Sequence, residues 1–155
     1  MRVKILFVCH GNICRSPMAA MVFRYLAQQR HVSGEFEVDS AALSSEEIGN
    51  GIYPPARRIL VKHGVPCTEH RARQITLEDF ETADLIIGME WGHLKKLRAL
   101  CPKEQQAKLH LLLDFAERQG DIEDPWYRDD VDRAYRDILR GCEGLLRNLT
   151  ENKTA

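Results

Sequence analysis

Val3-Lys4-Ile5-Leu6-Phe7-Val8-Cys9-His10-Gly11-Asn12-Ile13-Cys14-Arg15-Ser16-Pro17 places a strand, a tight loop and a helix start in one short segment. Val3, Ile5, Leu6, Phe7 and Val8 form a near-continuous apolar run, the pattern of a strand buried on both faces. Gly11-Asn12 marks a loop over 9–15. Ser16 suits a helix N-cap and Pro17 the first helical position. Met18, Met21, Val22, Tyr25 and Leu26 then recur at helical spacing, which predicts a helix to about residue 30.

The rest of the chain repeats this alternation. Strands are predicted over 36–40, over 83–89 around Leu85, Ile86 and Ile87, and over 108–113. Helices are predicted over 56–63, stopped by Gly64, over 77–82, capped by Thr76 with Asp79 three residues on, and over 92–100, before Pro102. Residues 49–55 are turn-rich, and 121–130 form an acidic loop broken by Pro125. From 130 to 149, Val131, Ala134, Tyr135, Ile138, Cys142, Leu145 and Leu149 trace one face of a long amphipathic helix, after which 151–155 should fray. Strands alternating with helices predict an α/β fold of three layers, α/β/α, with a central four-stranded parallel sheet and the loop between the first strand and first helix.

The 155 residues fit a single domain spanning 1–155, long enough for a hydrophobic core without staples. A net charge of −1 gives no global reason to expect nucleic acid or an anionic membrane as partner, so any anion must be bound locally. Five scattered cysteines with no Cys-x-x-Cys pair, and six dispersed histidines, argue against both a disulfide framework and a zinc site. The first residues lack the pattern of a signal peptide, and no apolar run approaches a membrane span, so the expected location is cytoplasmic.

Cys9 carries the chemistry. It stands at the carboxyl end of the first strand, just before a helix, where ligands of open α/β sheets sit. A loop opening into a helix N-terminus aims unpaired backbone N–H groups at one spot, with the helix dipole behind them. Such a place favours a phosphate-sized anion, and it favours a thiolate too. Arg15 closes the loop, and its planar fork can hold two oxygens of a phosphoryl group through transfer. Gly11 permits close approach, and Asn12 tolerates positive φ. The Ser16 hydroxyl can donate to the Cys9 sulfur, cap the helix, or both.

Displacing an alcohol or phenol from phosphorus needs an acid for the leaving oxygen. Asp124 precedes Pro125, which keeps the segment out of a helix, and Trp126 and Tyr127 supply aromatic walls for a substrate ring. On chemistry alone Asp121, Glu123, Asp129 and Asp130 remain rivals.

The stretch from Val8 to Pro17 resembles the phosphate loop of the low-molecular-weight protein tyrosine phosphatases, and Asp124-Pro125-Trp126-Tyr127 resembles their acid loop. Val38-Asp39-Ser40-Ala41 and Ala72-Arg73-Gln74-Ile75-Thr76 are similar to family segments as well. The resemblance implies hydrolysis of phosphotyrosine in proteins or peptides through a phosphocysteine on Cys9, with inorganic phosphate as product. Arg15 would bind the phosphoryl oxygens, and Asp124 would act as acid and then base. Ser16 would stabilise the thiolate, and His10, Gly11, Ile13 and Cys14 would complete the loop around the phosphate. Asn12 would hold the loop through hydrogen bonds involving Ser40 and His70. Cys14 could form a reversible disulfide with Cys9. No metal or other cofactor is implied, no membrane insertion, and a monomer or weak dimer is expected.

Two positions depart from the pattern. Glu46 stands where members often carry an aromatic residue on the cleft wall, which predicts weaker phosphotyrosine affinity or a more basic peptide preference, with Trp126 as the offsetting ring. Glu90 stands where Asp is common, which leaves open whether its longer side chain reaches the loop arginine. Three competing readings are weaker. Arsenate reduction would need relay cysteines around 80–90, where none occurs. Phosphoarginine hydrolysis goes with Thr where Ile13 stands. A dead phosphate-binding module would have lost Cys9, Arg15 or Asp124.

Overall fold

The computed structural model describes residues 2–117, 119–125 and 130–151. Among these residues the α-helices and strands run in the order β1 (Val3–Cys9), α1 (Arg15–Gln29), β2 (Phe36–Ala42), α2 (Pro54–Lys62), α3 (Leu77–Thr82), β3 (Leu85–Gly88), α4 (Trp91–Leu100), β4 (Leu109–Leu111) and α5 (Val131–Glu151). The strands form one parallel sheet in the order β2-β1-β3-β4.

β1 lies in the interior of the sheet, which explains its unbroken apolar sequence. Successive side chains of a strand point to opposite faces. Ile5, Phe7 and Cys9 accordingly join the core beneath α1, α2 and α5, whereas Leu6 and Val8 join a second core with Phe80, Ile86 and Leu97 beneath α3 and α4. Helices on both faces of the sheet give the three layers. Among the described residues no helix is long and apolar enough to cross a membrane.

Several boundaries differ from the sequence reading. α1 begins at Arg15, one residue before the predicted cap, and Ser16 lies inside its first turn. α2 begins at Pro54, with proline in its first turn where no amide donor is needed. The predicted strand over 83–89 shortens to Leu85–Gly88, and that over 108–113 shortens to Leu109–Leu111. Leu112–Phe115 then forms a 3-10 turn. A short apolar run cannot separate strand from buried turn. Here α5 decides it, because the turn sits directly against Gly141 and Gly144. A Cβ on Gly144 would fall 1.9 Å from the Phe115 carbonyl oxygen, and one on Gly141 would fall 2.5 Å from Leu112 Cγ. Thr76 caps α3 as read: Asp79 N–H donates to its hydroxyl, and its own N–H donates to Asp79 Oδ2 at 2.8 Å.

Candidate active site

The loop from Cys9 to Cys14 bridges the carboxyl end of β1 and the start of α1. Its carbonyls are turned away from the bowl it forms. Cys9 O accepts from Leu43 N–H, His10 O from Ser44 N–H and hydroxyl, Ile13 O from Tyr53 N–H, and Cys14 O from Met18 N–H. Asn12 O accepts from His70 Nε2 at 2.6 Å. Meanwhile the N–H groups of residues 11–14 donate to no protein acceptor among the described residues. A loop with bonded carbonyls and unspent amides is an anion cradle.

Asn12 fixes this shape. Its φ is 59°, a left-handed conformation that asparagine tolerates better than most residues. The side chain is fully buried; Nδ2 donates to Ser16 Oγ at 2.8 Å, and Oδ1 accepts from Arg73 N–H at 3.1 Å. His70 reaches Asn12 through its backbone oxygen, whereas among the described residues no hydrogen bond joins Ser40 to Asn12. Ser40 is buried in β2, and its N–H donates to its neighbour Asp39; Ser16 and Arg73 take the place expected of it. Ala42 and Gln74 form a parallel bridge, with Ala42 N–H donating to Arg73 O, and this places the Arg73 amide at the loop. Gly11 has no positive φ; its bare α-carbon leaves room for Glu47, whose Cγ would lie 3.2 Å from a Cβ there.

Cys9 is buried, with Sγ 2.9 Å from Ser16 Oγ and 3.4 Å from Ser16 N–H. Because Ser16 Oγ already accepts from Asn12, its own proton is free to point at the sulfur. The hydroxyl therefore serves the sulfur and does not cap the helix. Cys14 sits in a different field. Burial, and then the charge of Cys9, push its thiol up to about 12, so it stays protonated. All five cysteines are free thiols.

Arg15 is 3% exposed and held from behind. Its Nη1 donates to Glu90 Oε2 at 2.9 Å and to Ile122 O at 2.8 Å. Glu90 thus reaches the loop arginine despite its extra methylene. Nη2 lies 3.5 Å from Asp124 Oδ2, which brings Asp124 to the same cleft. Asp121, a rival in sequence, instead accepts from Trp91 N–H, and Glu123 faces Arg133 at 3.7 Å.

The cleft has a volume of about 370 Å³ and is lined by Cys9, His10, Gly11, Ile13, Cys14, Arg15, Glu46, Glu47, Tyr53, Asp124 and Pro125. Glu46 is on the wall, as read, with Oε2 3.1 Å from His10 Nε2. Trp126 and Tyr127 lie outside the described residues. Sequence reasoning missed Tyr53, Glu47, Arg73 and Ile122. Tyr53 carries the one available signal, an aromatic residue before Pro54-Pro55, which rigidifies whatever precedes it. Among the described residues no group of three His, Cys, Asp or Glu side chains is placed to hold a metal ion. A larger groove of about 590 Å³, lined by Arg2, Arg24 and Tyr25, runs along the β2 edge and contains none of these groups.

Comparison with known proteins agrees with this geometry. Residues 4–155 match the family model described as low molecular weight phosphotyrosine protein phosphatase. The human protein of that name is 43% identical over 150 residues, covering 92% of each chain. The Bacillus subtilis low molecular weight protein-tyrosine-phosphatase YfkJ is 34% identical over 153 residues, covering 97% of this chain and 98% of its own. The crystal structure of YfkJ superposes with a TM-score of 0.94 over 99% of this chain and 98% of that one. A protein tyrosine phosphatase from Entamoeba histolytica, solved with Hepes in its active site, is 29% identical, with a TM-score of 0.92 over 97% and 99% of the two chains. A loop of this shape at the end of β1, and relatives matching it along almost their whole length, have one reading: the chain is a member of the low molecular weight phosphotyrosine protein phosphatase family.

Proposed function

We propose that the protein hydrolyses phosphotyrosine in proteins or peptides in two steps. In the first, the Cys9 thiolate attacks phosphorus, the bond to the tyrosyl oxygen breaks, and Asp124 gives that oxygen a proton. The product is a phosphocysteine and the dephosphorylated tyrosyl side chain of the substrate. In the second, water attacks the same phosphorus, Asp124 takes its proton, and the S–P bond breaks to return the thiolate and inorganic phosphate.

The observation that carries this reading is that one cleft is lined by Cys9, Arg15 and Asp124, with loop amides unspent around it. Arg15 and the amides of Gly11, Asn12, Ile13 and Cys14 stabilise the charge on the equatorial oxygens, with His10 beside them in the loop. Ser16 steadies the thiolate, Asn12 and His70 keep the loop in shape, and Ser40, buried in β2, is a supporting residue. Glu46 shapes the rim, and Trp126 and Tyr127 wall the tyrosine ring. The working unit is a single domain, residues 1–155, acting in the cytoplasm as a monomer or weak dimer without a cofactor.

Hydrolysis of p-nitrophenyl phosphate and of phosphotyrosine peptides by wild type and Cys9→Ser is the test. The expected result is turnover by the wild type, none by the variant, and phosphate binding by both. Equal inactivity of the two proteins, with phosphate binding intact, would leave a binding module and end the proposal.

A further inference from the structure

Behind the Arg15 guanidinium stands a buried imidazole that the two-step chemistry does not use. His93 lies in the first turn of α4 and is 3% exposed. Gly88, ending β3, makes room for it, since a Cβ there would lie 3.1 Å from His93 Cβ. Met89 N–H donates to its Nδ1 at 3.2 Å. A ring nitrogen that accepts carries no proton, so the neutral ring bears its hydrogen on Nε2.

Nε2 faces Arg15 Nη2 at 3.5 Å and Glu90 Oε1 at 3.6 Å. A guanidinium nitrogen cannot accept, so of the two only the carboxylate answers that hydrogen. At this distance the contact is charge against dipole, longer than a hydrogen bond. Glu90 offers its other oxygen, Oε2, to Arg15. Its carboxylate is therefore gripped from two sides, by a guanidinium and by an imidazole. A glutamate needs this more than an aspartate would, because it has one more rotatable bond and its side chain is one-third exposed to water. The titratable and charged groups around the ring are Arg15 from α1, His10 from the loop, Lys96 and Glu90 from around its own helix, and Asp124 from the acid loop. Burial first, then the Arg15 charge, hold the imidazole at about 3, so it is neutral wherever the enzyme works.

We propose that His93 is a positioning residue: its Nε2–H steers Glu90, and Glu90 sets the angle at which Arg15 presents its guanidinium to the phosphoryl group. This rests on the reading of Arg15 as the phosphate clamp.

The two functions of the ring can be separated. In His93→Asn the amide oxygen can still accept from Met89 N–H, but nothing reaches Glu90. In His93→Gln an amide N–H can reach the place of Nε2, while the Met89 amide loses its acceptor. We expect His93→Asn to lower kcat/KM for p-nitrophenyl phosphate about tenfold, the worth of one contact to a charged group. Competitive inhibition by inorganic phosphate should weaken in parallel, with the thermal midpoint little changed. His93→Gln should recover most of the activity yet melt lower. In a Glu90→Gln background, His93→Asn should add no further loss.

The idea is overturned if His93→Asn matches wild type in activity and phosphate affinity, or if activity simply follows the melting temperature across both variants. Should the wild type bind phosphate without hydrolysing the ester, the enzymatic reading fails. Titration of inorganic phosphate into wild type and His93→Asn then still decides the role of His93.

Discussion

At the floor of the cleft Asn12, Arg15 and Ser16 are buried, and each is fixed by several hydrogen bonds to β2-side loops, α1 and the segment after β3. At the rim, the Glu46 side chain is 68% exposed and meets one partner, His10, itself 44% exposed. The contrast is one of dielectric. Buried polar groups must be satisfied, and a single lost partner leaves a desolvated atom behind. Exposed ion pairs contribute between nothing and about 1 kcal/mol. The proposed reaction chemistry therefore rests on the floor, and the proposed adjustment of substrate preference on the rim.

The comparison can be broken most severely at Cys9. Cys9→Ser should cost at least about 10⁵-fold in kcat, as loss of a nucleophile does, while calorimetric phosphate titration still shows binding. Asp124→Ala should slow aryl phosphate hydrolysis by about 10²–10⁴-fold, with the loss shrinking as the leaving phenol becomes more acidic, which a leaving-group series would reveal.

Asn12 separates conformation from hydrogen bonding. Asn12→Ala should destabilise the fold by about 2–4 kcal/mol in urea unfolding, through two lost buried partners and a strained φ. Asn12→Gly relieves the φ but not the partners, so it should recover only part of that.

His93 gives a pH signature. Its folded value, about 3, lies below the ordinary histidine value of 6.5. The unfolded chain then binds the proton more readily than the folded one, so the contribution of the neutral ring is fully present above about 6.5 and drains away as pH falls toward 3. Thermal midpoints measured across that window should fall less steeply in His93→Asn than in wild type.

The smallest effect is expected at the rim. Glu46→Gln should move KM for phosphotyrosine peptides by about 2–5-fold, in opposite directions for basic and acidic flanks, and salt should erase the difference. An equal loss there and at the floor would refute the division between them.

Much of this was legible in the chain because local pattern and global fold agree. The apolar run from Val3 to Val8 could be buried on two faces only inside a sheet, and Cys9 and Arg15 are joined by a loop too short to place them far apart. Glu90 showed its departure from the family but not its reach, which depends on where α4 starts relative to Arg15. Tyr53 and Arg73 gave little warning, and His93 none, since a histidine among Leu and Lys on a helix reads as an ordinary surface position. The partners of Asn12 were hidden for the same reason: residues distant in sequence meet by register, and the Asn12 carboxamide oxygen meets the Arg73 amide.

By itself the sequence determined the strand–loop–helix unit and set Cys9 and Arg15 at the two ends of one loop, because these follow from periodicity and from chemistry at fixed short spacing; the family, and Asp124 among the acid candidates, were legible through the resemblance of whole segments. Tertiary structure alone decided which groups stand behind them. Glu90, Ile122, Arg73, Tyr53 and His93 reach the loop or its arginine across 40 to 107 positions of chain. Such contacts come from sheet order and helix placement, which no local pattern encodes.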